Sequence, residues 1–89
     1  MTWEQVVQVA VANTVAVLTQ VPERREVRWG ALGQVQAQVQ AAGEADLAAF
    51  LGLLRQLLEG ASLERLAITV PPDYRPAWEV ALEGLKRGS

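Results

Sequence analysis

Of the side chains that commonly carry catalysis, this 89-residue sequence keeps carboxylates and little else. It has no cysteine and no histidine. That removes disulfides, thiolate zinc sites and cysteine nucleophiles, together with the commonest general base and transition-metal ligand. Glu44, Asp46 and Glu59 are not brought together by spacing, and Glu44 and Asp46 near a helix start are accounted for by the macrodipole. Ser62, the one serine before the terminal Ser89, reads as a helix cap. No glycine-rich phosphate loop, serine elbow or metal motif occurs. The sequence therefore predicts no catalytic residue, no cofactor and no metal site. An enzyme or small-ligand binder built on carboxylates in a helical pocket is the reading it supports least.

Charge narrows the partners. Eight basic residues face ten acidic ones, a net charge of −2. Nucleic-acid binding would need a basic stripe and anionic-membrane binding a polybasic segment. The densest cluster, Glu23-Arg24-Arg25-Glu26-Val27-Arg28, interleaves both signs and reads as a solvated, self-paired helix face. Val6 to Leu18 is apolar, but Gln8, Asn13 and Thr14 interrupt it, and no Lys or Arg precedes Arg24. Neither a membrane span nor a secretory leader is therefore expected, and the chain reads as cytoplasmic.

The elements that would carry these residues are helices. Thr2 and Gln5 form a capping box for a helix over Trp3 to Gln20. Pro22 ends it and opens a second helix, from about Glu23 to Ala42, with an inward stripe of Trp29, Leu32, Val35, Val39 and Ala42. The run Gln34 to Gln40 alternates with period two, a strand signal, but its Ala and Gln content favours helix. Gly43 closes this helix, and a third runs from about Glu44 to Glu59. That third helix has two seams, Leu47-Phe50-Leu51-Leu54-Leu58-Ala61 and Ala49-Leu53-Leu57, which makes it central. One capped turn follows at Ser62 to Leu66, then an extended Ala67 to Val70. A last helix is capped by Asp73, buries Trp78, Ala81, Leu82 and Leu85, and exposes Glu79, Glu83, Lys86 and Arg87. The expected fold is all-α, an antiparallel bundle of about four helices with a central αα-hairpin. It fills residues 1–87 as a single domain, with Gly88-Ser89 set apart as an appended pair.

Trp29-x-x-Leu32-Gly33, with Ala45 in the following helix and the turn at Ala41 to Gly43, resembles part of a tetratricopeptide repeat. The departures are Gln36 at the family's tyrosine position, Ala49 at its later aromatic position and Leu57 at its closing proline. More broadly, Ala12 to Leu18, Val21 to Arg25, Phe50 to Gly60 and Tyr74 to Leu85 resemble helical segments attached to bacterial tetratricopeptide-repeat proteins. The resemblance implies a scaffold or regulatory module and carries no functional residues across. A single repeat cannot bury its own faces.

Function is then expected to be protein–protein interaction. The first helix is apolar nearly all round, more than one buried stripe requires. Trp3, Val6, Val7, Ala10, Val17 and Val21 are the expected interface, and a homodimer the expected assembly. The alternative is a helical-repeat fragment whose groove takes a peptide or a neighbouring domain of its parent chain. Trp29 and Trp78 are expected in the core, while Trp3 suits either core or interface. Asn13 and Thr14 either fix register across an interface or bond locally to backbone.

Overall fold

A computed structural model describes residues 2–88, and among them there is no strand. Five α-helices follow one another: α1 (Trp3–Gln20), α2 (Arg25–Ala41), α3 (Ala45–Leu58), α4 (Leu63–Ala67) and α5 (Arg75–Gly88). The all-α expectation holds. The expected four helices become five, because the turn after Ser62 winds far enough to count as one. Gly88 closes α5, and Ser89 lies outside the described residues.

Local chemistry explains the boundaries. The Thr2 hydroxyl accepts from the Gln5 N–H at 3.2 Å, while the Gln5 side chain accepts from the Thr2 N–H at 3.0 Å. This reciprocal box satisfies two of the N–H groups that a helix start leaves unpaired. Gly43 (φ 85°) and Gly60 (φ 96°) adopt the left-handed conformation that ends α2 and α3. In each case the next residue's N–H reaches back five positions: Glu44 to the Val39 carbonyl (3.1 Å) and Ala61 to the Gln56 carbonyl (3.0 Å). The alternating Gln34 to Gln40 run is helical.

Three details differ from expectation. Pro22–Arg24 and Pro72–Tyr74 are separate 3₁₀ turns, each with a proline in first place. The Arg24 N–H closes on Val21 and the Tyr74 N–H on Pro71, so the chain enters α2 and α5 through a tightened turn. Asp73 thus sits inside the second turn instead of capping α5. Ser62 makes no side-chain cap, although its carbonyl accepts from Leu66. The expected extended stretch from Ala67 to Val70 is not extended through Thr69: Ala67 ends α4, Ile68 keeps helical φ and ψ, and both the hydroxyl and the N–H of Thr69 return to the Leu66 carbonyl.

The core is built on α3, where Leu47, Phe50, Leu51 and Leu54 are fully buried. Leu32 and Val39 meet it from α2, Val7 and Val11 from α1, and Trp78 and Ala81 from α5. Phe50 stacks on Tyr74, with ring centroids 5.3 Å apart, which fastens the turn before α5 to the core. Trp78 is buried as expected; Trp29 is not, and neither are Ala42, Ala49 and Ala61. Thr14 is buried and its hydroxyl donates to the Ala10 carbonyl at 2.7 Å, the local bond of the two options the sequence left open.

Candidate functional site

Two interhelix seams differ in how they are closed. Between α2 and α3, Trp29 approaches Arg55 and Gln36 approaches Ala48. Residue numbers rise along one helix as they fall along the other, so these two form a hairpin. Arg55 lays its guanidinium on the Trp29 ring, 3.8 Å from the centroid, and donates from Nε to the Trp29 carbonyl at 3.2 Å. It also donates to Gln36 Oε1 at 3.1 Å, and Gln36 Nε2 donates to the Ala48 carbonyl at 2.9 Å. Glycines make room for this latch. A Cβ on Gly33 would stand 2.9 Å from the Arg55 guanidinium, and one on Gly52 would stand 2.9 Å from Gln36 Nε2. The half-exposed position of Trp29 follows from this arrangement: its face is covered by a cation and not by the core.

Among the described residues, the α1–α5 seam shows no such arrangement of a cation, an amide and paired glycines. Its two helices run in the same direction: Trp3 and Glu4 share a groove with Asp73 and Tyr74, while Val15 meets Gly84 further along. A Cβ on Gly84 would stand 2.8 Å from Val15 Cγ1, so glycine there permits the close approach. Between the two helices runs an apolar groove of ≈250 Å³, walled by Val7, Gln8, Val11, Ala12 and Val15 on one side and by Ala77, Val80 and Gly84 on the other. The groove continues toward the start of both helices, where Glu4 and Asp73 stand at its mouth beside Trp3. Val80 is 61% exposed on its rim and Trp3 is 41% exposed at its end.

The six residues expected to form an interface are divided by the fold. Val7 and Ala10 belong to this chain's own core. Val6, Val17 and Val21 are half-buried, Val17 against the core. Trp3 alone is exposed. Sequence reasoning missed the α5 wall. Ala77, Val80 and Gly84 are spaced three and four apart, so a second small or apolar stripe beside the Trp78-Ala81-Leu82-Leu85 face was there to be found.

Chemistry at the groove is limited. The Tyr74 hydroxyl is held above its ordinary pKa, first by burial and then by the negative charges of Glu44, Asp46 and Asp73. Among the described residues, no group of three His, Cys, Asp or Glu side chains could hold a metal, and no helix is long and apolar enough to cross a membrane. Two buried donors, Arg28 Nε and Trp78 Nε1, lack a hydrogen-bond partner among the described residues. No family model, curated protein or solved structure matches this chain, so the site rests on its own geometry.

Proposed function

We propose that this domain is a protein–protein interaction module that associates with itself. The observation that supports the reading most is the open apolar groove along α1 and α5, in a chain whose other long seam is closed by a cation, an amide and two glycines. A domain of this size buries only roughly 60–65% of its unfolded surface, so a second partner is an effective way to enlarge a thin core. Apolar surface left in a groove gains about 25 cal/mol for each Å² withdrawn from water, which gives association its driving force. Val80 and Trp3 can be withdrawn without disturbing the fold, since both already stand out from it. The test is the solution mass of the full chain by light scattering across the micromolar range. Twice the 9.7 kDa chain mass is expected as concentration rises; a mass that stays at one chain would refute self-association.

A further inference from the structure

We infer that the occupant of the α1–α5 groove is the same groove of a second copy, laid across it in the opposite direction about a two-fold axis at Val80. The inference rests on the self-association reading above and adds which face is used and how it is oriented. Because α1 and α5 run in the same direction, the groove is polar along its length. Both helices begin at one end, where Glu4 and Asp73 stand at the mouth. Both finish at the other end, and there the α5 stripe of Ala77, Val80 and Gly84 reaches Arg87 at the next helical step of three. Arg87 is exposed, as are Glu4 and Asp73. The middle of the groove carries no charged wall residue.

A face that is acidic at one end, apolar in the middle and basic at the other is complementary to its own copy in only one sense. Two copies in parallel would set Glu4 and Asp73 against the same carboxylates and Arg87 against Arg87. Two copies in opposite directions bring each Arg87 to the other's Glu4 and Asp73. The register follows as well. Asp73 and Arg87 are equally distant in sequence from Val80, so superposing the opposite ends puts the two-fold axis at that residue. Val80 is also the large apolar side chain most exposed on the groove's wall, and at the axis it packs against its twin over the hollow below. Of the remaining charges of α5, Glu79, Glu83 and Lys86 gather on its flank away from α1, with Val80 as the ridge between the two sides, and Arg75 at its first position does not line the groove.

The absence of native cysteine makes the geometry directly testable. In the full chain, Val80→Cys should form an intermolecular disulfide under mild oxidation, because only residues at a two-fold axis come within the roughly 4.4–6.8 Å Cα separation that the bond requires. Arg87→Cys should not, since its twin would lie about 20 Å away along the helix rise. Val27→Cys, 74% exposed on α2, controls for random collision. Arg87→Glu should weaken the dimer about tenfold, and Glu4→Lys with Asp73→Lys in the same chain should restore it. All these positions are exposed, so folding is not at stake, and circular dichroism verifies it. A dimeric wild type whose Val80→Cys variant crosslinks no faster than Val27→Cys would overturn the groove assignment while leaving self-association intact. Crosslinking at position 80 without rescue by the reversed charges would overturn the antiparallel register. A monomeric wild type would remove both readings together.

Discussion

The α2–α3 seam and the α1–α5 seam use the same device, a glycine in a helix facing a neighbour, to opposite ends. At Gly33 and Gly52 the vacated space is filled by long polar side chains that bond across the hairpin and complete each other's hydrogen bonds. At Gly84 it is filled by a valine, which lets the helices approach closely there and leaves an apolar trough beside the contact. A seam closed by directional bonds has one solution and no need of a partner. A seam closed by apolar contacts alone is indifferent to what covers its open side. The difference lies in what stands opposite the glycine, not in the glycine itself.

Breaking the closed seam should give the largest effect. Arg55→Ala removes the ring contact, two hydrogen bonds and the cover over Trp29, and leaves the Gln36 carbonyl without its donor. A loss of about 1–3 kcal/mol in denaturant unfolding is expected, with a change in Trp29 fluorescence. An unchanged midpoint would show that the latch is ornamental.

A smaller effect, with opposite signs at two sites, would sharpen the comparison. Gly84→Ala forces a methyl to within 2.8 Å of Val15 and should destabilise by about 1 kcal/mol after the helix-propensity gain is subtracted. Gly30→Ala meets nothing within 4 Å and should stabilise by roughly 0.5–1 kcal/mol. If both variants moved in the same direction on thermal unfolding, the close contact between α1 and α5 would not be limiting.

The smallest effect concerns the mouth of the open seam. Tyr74 has a raised pKa in the folded chain, so the folded state keeps its proton while the unfolded chain loses it near pH 10. The stability this contributes is complete below about pH 10 and is lost as pH rises through the folded value. Tyr74→Phe keeps the stack on Phe50 and abolishes that part of the alkaline decline, measured as unfolding midpoint between neutral and strongly alkaline pH. An identical alkaline slope in the variant would mean that other groups set it.

The sequence was legible where one local rule acts alone. The capping box at Thr2 and Gln5, the two left-handed glycines and the leucine faces of α3 all lie where their residue types placed them. It misled where tertiary partners decide. Trp29 has the spacing of a core residue, but Arg55, twenty-six positions away, offers it a cation. Asp73 has the chemistry of a cap, but two prolines before it wind a 3₁₀ turn around it. On α1 the valine-rich surplus was visible, yet which valines face inward depends on α5 lying alongside. Val7 and Ala10 went to the core, and Val80, unremarked in the sequence, came to the rim.

The central claim is that the open seam is where this chain meets its copy. Its most direct test is the monomer–dimer dissociation constant from sedimentation equilibrium for wild type, Val80→Glu and Val27→Glu. Both substitutions fall on exposed valines, at 61% and 74%, and neither should perturb the fold. The account predicts that Val80→Glu raises the constant about a hundredfold, by burying like charges at the axis, while Val27→Glu leaves it unchanged. Equal constants for all three proteins would contradict it.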